Sequence, residues 1–198
     1  MPFFSLIIPT YNRKHRLHAP LDTALAQTFR DFELILVDDG STDQTEKWLK
    51  ENYNDPRIRY FYKENEERSI ARNFGVQQAT GKFIFFLDSD DELLPNHFEV
   101  LHQAIQKHSN IHRFATKFHI RTDAGNLLPS RITLPEGKYD YRILLQGNPF
   151  NSMLCLRREG VPVELFPPKF RIGEDWIFMM RNLWEYPVFI IDQTTAIS

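Results

Sequence analysis

The sequence predicts an α/β fold with a mostly parallel sheet, helices on both of its faces, and a smaller mixed lobe. Three observations carry that prediction. In the first half, short runs of continuous apolar residues alternate with segments of helical period, the pattern of strands buried on both faces. Polar clusters stand directly after three of those runs, where sheets of this class bind their ligands. Past about residue 110 the alternation fades, and Pro129, Pro135, Pro149, Pro162, Pro167 and Pro168 multiply the turns.

The elements follow in order. Residues 5 to 10 (SLIIPT) read as a short buried strand. Residues 14 to 27 read as a helix with Leu17, Leu21, Ala24 and Leu25 on one face. Residues 32 to 39 (FELILVDD) are a second strand, and GSTD offers a turn and an N-cap before a helix around 45 to 50. A third strand covers 57 to 63, a helix 69 to 79 (SIARNFGVQQA), and a fourth strand 83 to 87 (FIFFL). Residues 94 to 108 form an amphipathic helix that starts behind a proline. Farther on, 113 to 121 and 152 to 157 read as strands, 139 to 146 as a short helix and 176 to 184 as another, with a strand shortly before Ser198. Trp176, Phe178, Trp184 and most of the phenylalanines read as core. The whole, 1–198, reads as a single domain with halves 1–108 and 109–198.

Composition narrows the function. With 42% apolar and 25% charged residues the chain is an ordinary globular one. A net charge of −2 argues against nucleic acid as a partner. The single Cys155 cannot form an internal disulfide and suits a reducing cytoplasm. No apolar run approaches the ~20 residues of a membrane span, and no signal-peptide pattern opens the chain. Peripheral contact with the inner face of a membrane is compatible with this, although no basic amphipathic helix argues for it. The seven histidines are scattered, and His108 and His112 lack a metal-binding motif, so they read as surface residues.

Three acidic motifs carry chemistry. Asp88 and Asp90 form a D-x-D after the fourth apolar run, and in an extended chain residues two apart point the same way. Hard divalent cations such as Mg²⁺ and Mn²⁺ prefer such oxygens, commonly one or two carboxylates completed by substrate phosphates. The competing role is a cap for the helix starting near Pro95. Asp38 and Asp39 end the second strand; one could accept the imide N–H of a uracil or thymine ring while the other caps the next helix. A phospho-receiver domain also sets acids at strand ends, but a following D-x-D is not its pattern. Glu174 and Asp175 precede a helix, either as an N-cap or with one carboxylate serving as a general base.

Taken together, SLIIPTYNR, ILVDDGSTD, ARNFG, FIFFLDSDD and GEDW resemble the family 2 glycosyltransferases, whose fold is the Rossmann-like GT-A fold. The resemblance is dense over residues 3 to 99 and rests on GEDW and general layout beyond 100. It implies an inverting, metal-dependent hexosyl- or N-acetylhexosaminyl-transferase of polysaccharide biosynthesis. The donor would be a nucleotide sugar, most simply a UDP-sugar, bound by the first half. The acceptor, a glycan, lipid-linked or other hydroxyl compound, would meet the second. Pro9 and Tyr11 would line the nucleobase pocket, Asp39 would take the base N–H, and Arg72 would lie near base and phosphates. Asp88 would contact ribose or the Mg²⁺ or Mn²⁺ ion, Asp90 would be the main metal ligand, and Asp175 the catalytic base.

Two departures from the family pattern stand out. Glu66 occupies a place where many members carry glycine, which implies a differently shaped loop over the donor. The Q-x-x-R-W stretch of processive synthases is missing, which favours single transfer; if the natural protein is longer, these residues are its catalytic core. A nucleotidyltransferase is the rival enzyme, but PTYNRK lacks the glycine-rich basic loop that it would need. A non-catalytic nucleotide-sugar-binding protein is the rival of another class, and the intact acids argue against it.

Overall fold

The computed structural model describes residues 1–130, 134–147, 149–150 and 154–198. Among them the strands are β1 (Phe4–Thr10), β2 (Phe32–Asp38), β3 (Ile58–Tyr62), β4 (Phe83–Phe86), β5 (Glu92–Leu93), β6 (Arg113–Arg121), β7 (Leu127–Pro129), β8 (Gly137–Tyr139), β9 (Leu154–Arg157) and β10 (Val188–Ile197). The α-helices are α1 (His18–Leu25), α2 (Thr45–Asn52), α3 (Arg68–Gln78), α4 (His97–Lys107) and α5 (Glu174–Trp184). Short 3₁₀ segments cover Lys14–Arg16 and Tyr141–Gln146.

All ten strands join one sheet, in the order β3-β2-β1-β4-β9-β6-β10-β5, with β7 beside β6 and β8 beside β10. The first four are parallel, β9 runs antiparallel between β4 and β6, and β6 and β10 are parallel again. The sheet therefore passes from one half of the chain to the other without a break. Its parallel part has its switch point at β1, with β2 on one side and β4 on the other. A crevice opens at such a point beyond the strands' carboxyl ends, because the connections leave in opposite directions.

Side chains along each strand alternate between two cores. Phe4, Leu6, Ile8, Leu34, Leu36, Phe83 and Phe85 face α1, α2 and α4. Ile7, Ile35, Val37, Ile84 and Phe86 face α3 and α5. Full burial on both faces explains why these strands read as unbroken apolar runs. Each such side chain contributes on the order of 1.5–3 kcal/mol by leaving water. Helix α3 lies unusually close to β1: a Cβ at Gly75 would stand 2.4 Å from Cγ2 of Ile7, so only glycine permits this approach.

Several expectations need correction. The helix foreseen over 14 to 27 is broken into a 3₁₀ turn and α1, with Pro20 in the first turn of α1, where its missing N–H costs nothing. GSTD does not cap α2: its N-cap is Gln44 at φ 65°, without a side-chain bond, while Asp43 accepts from Lys14 N and Thr45 Oγ1. The short helix foreseen over 139 to 146 is present as a 3₁₀ helix over Tyr141–Gln146, while Tyr139 is the last residue of β8. The strand foreseen over 152 to 157 is β9 from Leu154; 152 and 153 lie outside the described residues. His97 is wholly buried, with Nδ1 2.7 Å from Thr195 Oγ1. Trp176 and Trp184 are not core: they are 42% and 63% exposed.

Candidate active site

The crevice at the switch point is a cleft of about 500 Å³. Pro9 and Tyr11 enter it from the end of β1, Asp39 from the end of β2, Arg72 from α3, and Asp88 and Asp90 from the turn after β4. Six of the seven residues singled out in the sequence thus meet in one cavity. Asp175 lies outside its lining, half-buried on the first turn of α5.

The acids of the second strand divide their work. Asp38 is buried and structural: Oδ1 accepts from Ser41 N at 2.8 Å and Oδ2 from the Tyr60 hydroxyl at 2.7 Å. It holds the turn and caps no helix. Asp39 faces the cleft, with Oδ1 taking bonds from Lys63 Nζ (2.7 Å) and Glu66 N (3.2 Å). Burial pushes the Lys63 ammonium down, but bonding to Asp39 and Glu66 outweighs it and holds the pKa above the usual lysine value. The loop over the cleft is therefore pinned to Asp39. The backbone conformation natural to glycine falls on Glu67 (φ 77°, ψ 157°), one residue after the expected place, and Glu67 also lines the cleft.

The D-x-D is a turn, which corrects the extended geometry assumed from spacing. Leu87 N still bonds Ile7 O at 3.0 Å, and then Asp91 N folds back to Asp88 O at 3.1 Å. Asp88 and Asp90 reach the cleft through this turn, and neither caps α4, whose N-cap is Asn96. Asp91 points the other way, into the protein, and its Oδ2 has no hydrogen-bond partner. Burial, with the fields of Asp88 and Asp90 added, pushes its pKa up to about 7. Asp90 Oδ2 meets Arg13 at 3.0 Å and Arg16 at 3.4 Å.

Those two carboxylates fit a hard divalent cation in one specific way. Among the described residues no group of three or more His, Cys, Asp or Glu side chains is gathered for a metal. Two carboxylates with open coordination positions match the sites that Mg²⁺ completes with substrate phosphates, not an all-protein cage.

Glu174 and Asp175 are not the N-cap; Gly173 is, in the left-handed region at φ 74°. Glu174 is buried and bonds Arg68 Nε at 2.6 Å, with Arg72 Nη1 at 3.7 Å. Arg72 in turn reaches Asp88 Oδ1 at 2.5 Å and lies 5.1 Å over the Phe166 ring. A chain of charges therefore ties the D-x-D turn to the E-D pair. Arg72 is 6% exposed, and its Nε and Nη1 make no hydrogen bond. Donors of this kind, buried at a cavity wall, await an acceptor.

The sequence reading missed Asn65, Arg13, Arg68 and Arg171, which also line the cleft. Arg68 stands one helical turn before Arg72, a spacing that was open to view. Arg171 enters only through the fold, where its backbone oxygen accepts from Arg68 Nη2.

Comparison with known proteins places this geometry in context. The model of the family described as Glycosyl transferase family 2 matches residues 5–157. An uncharacterised glycosyltransferase of Rickettsia felis is 34% identical over 189 residues, which cover 87% of this chain and 29% of that protein. One of Haemophilus influenzae is 33% identical over 208 residues, covering 100% of this chain and 78% of that one. The chain spans less than a third of the Rickettsia relative. In fold it matches S. aureus TarS 1-349 in complex with UDP, with TM-score 0.83 and 23% identity over 99% of this chain and 60% of that one. The same TarS segment is also known in complex with UDP-GlcNAc.

Proposed function

This chain belongs to glycosyl transferase family 2, and from that premise we propose that it moves a sugar from a UDP-sugar to an acceptor hydroxyl, with inversion and with Mg²⁺ or Mn²⁺. The observation that carries the reading is Arg72, a buried guanidinium with unspent donors in the wall of the switch-point cleft. A diphosphate supplies the acceptors it lacks. The N-terminus of α3 opens on the same wall and favours negative charge there.

The remaining roles follow from position. Tyr11, half exposed, offers its ring to the base, and Asp39 accepts the base N–H. Asp88 and Asp90 would hold the divalent ion, which would supply positive charge beside the departing diphosphate. Arg72 takes up the rest of that charge, so the leaving group departs toward α3. Asp175 removes the acceptor hydroxyl's proton as the oxygen attacks, and a single displacement inverts the anomeric carbon. TarS, in complex with UDP and UDP-GlcNAc, supports uridine as the base and a hexosyl or N-acetylhexosaminyl group as the cargo. The acceptor is a glycan or lipid-linked hydroxyl compound in polysaccharide assembly.

Calorimetry with UDP, GDP and ADP in the presence of Mn²⁺ tests the reading. UDP should bind most tightly; a purine diphosphate as the preferred ligand would overturn the role given to Asp39.

A further inference from the structure

Asp88 and Asp90 each meet an arginine from a different part of the chain. Asp88 has Arg72 of α3, and Asp90 has Arg13, from the segment that follows β1. Arg13 Nη1 lies 3.0 Å from Asp90 Oδ2 and 3.4 Å from Ser89 Oγ, and Arg16 Nη1 reaches the same Oδ2 at 3.4 Å. The two arginines differ in one respect: Arg13 lines the cleft and Arg16 does not. The backbone on either side of Arg13 is pinned. Asn12 turns the chain in the left-handed region, at φ 49°, which asparagine tolerates better than most residues. Its N bonds Ser41 Oγ at 2.8 Å, its Oδ1 accepts from Thr42 N at 2.8 Å, and Lys14 N bonds Asp43 Oδ2 at 3.0 Å. GSTD, which does not cap α2, instead clamps the root of Arg13 at the cleft. The side chain itself is half exposed, as is Asp90, so the ion pair between them is weak and easily exchanged.

We propose that Arg13 is a counter-ion that passes from Asp90 to the donor's diphosphate, and so couples the divalent cation to the nucleotide. The inference rests on the donor reading given above and deepens it. A guanidinium and a divalent ion compete for one carboxylate, and side by side they repel each other. With a cation at Asp90, Arg13 would leave its ion pair. Its root stays clamped in the cleft wall, so the freed fork remains in the cleft, where it matches the paired oxygens of a diphosphate. Each ligand then favours the other: the cation releases the guanidinium that the diphosphate engages, and the coupling is reciprocal. Arg16 shares the ion pair but not the cleft, so it guards Asp90 without receiving the diphosphate.

Two titrations of Arg13→Gln, Arg13→Lys and Arg16→Gln test this: Mn²⁺ alone, followed by electron paramagnetic resonance, and UDP in saturating Mn²⁺, followed by calorimetry. Without nucleotide, Arg13→Gln should bind Mn²⁺ about two- to fivefold more tightly than the parent, and Arg16→Gln should move the same way by less. In saturating Mn²⁺, Arg13→Gln should bind UDP about tenfold more weakly. Arg13→Lys should recover part of that loss, and Arg16→Gln should match the parent. Both arginines are half exposed, so melting curves should overlay the parent's and keep loss of binding distinct from loss of fold. Unchanged Mn²⁺ affinity in Arg13→Gln overturns the proposal, as does parent-like UDP affinity. An equal loss of UDP affinity in Arg16→Gln also overturns it, because overall charge would then explain both. A parent that binds neither Mn²⁺ nor UDP would sink the donor reading itself, and this inference with it.

Discussion

Arg72 Nη2 lies 2.5 Å from Asp88 Oδ1, while Nη1 of the same guanidinium faces Glu174. One buried cation therefore joins the turn after β4 to the start of α5, two segments that meet in no strand pair.

Replacing that cation should separate its two roles. Arg72→Met leaves the buried Glu174 with one partner fewer and should cost on the order of 1–3 kcal/mol of stability. Arg72→Lys should recover part of that stability yet bind UDP about 10- to 100-fold more weakly, because an ammonium lacks the planar fork. Urea denaturation and calorimetry on both variants check this; parent-like UDP affinity in Arg72→Lys would remove Arg72 from the donor site.

Asp90→Asn tests the cation site. The carboxylate is 42% exposed and packs no core, so the melting temperature should hardly move. The gain in UDP affinity on adding Mn²⁺ should vanish. If Mn²⁺ strengthened UDP binding to the variant as much as to the parent, Asp90 would serve only as partner to Arg13 and Arg16.

Asp175→Asn should keep UDP affinity, since Asp175 lies outside the cleft lining, and lose about 10²- to 10⁴-fold in transfer rate. Glu174→Gln should act differently, weakening UDP binding through Arg68 and Arg72. Transfer rates and UDP titrations on the pair decide the matter. A fully active Asp175→Asn enzyme would exclude it as the base.

His97 predicts a pH effect on stability. Burial holds its pKa down at about 3, against 6.5 for an ordinary histidine. Between those values the unfolded chain binds a proton that the folded one refuses, so stability falls as pH drops from 6.5 toward 3. The slope from this group approaches about 1.4 kcal/mol per pH unit. His97→Gln, compared with the parent by urea denaturation from pH 7 to 4, should show a shallower loss; identical slopes would refute the assignment.

The parallel half of the fold was legible because β1, β2 and β4 are buried on both faces and carry their polar motifs at their ends. The other half was harder for physical reasons. β5, β7 and β8 have only two or three residues each, too few for a period to show. Tertiary contact also overrode local pattern. Trp176 and Trp184 look like core by composition, yet α5 buries Phe178, Met179 and Leu183 and turns both tryptophans outward. In the site, Asp39, Asp88 and Asp90 were visible as acids after apolar runs. The bond from Arg68 to the Arg171 carbonyl spans 103 residues, and no spacing rule reaches that far.

At Gly75, α3 rests on Ile7 of β1 with no side chain between them. Alanine there would act as a shim. Carbon atoms settle roughly 3.5–4.0 Å apart, and its Cβ would begin at 2.4 Å from Ile7 Cγ2, so the helix would have to lift by an ångström or more. Arg72 rides the same rigid rod three residues earlier, and its guanidinium would be carried away from Asp88. The calibre of the cleft is thus set from beneath the helix, by a residue that does not line it and offers no functional group of its own.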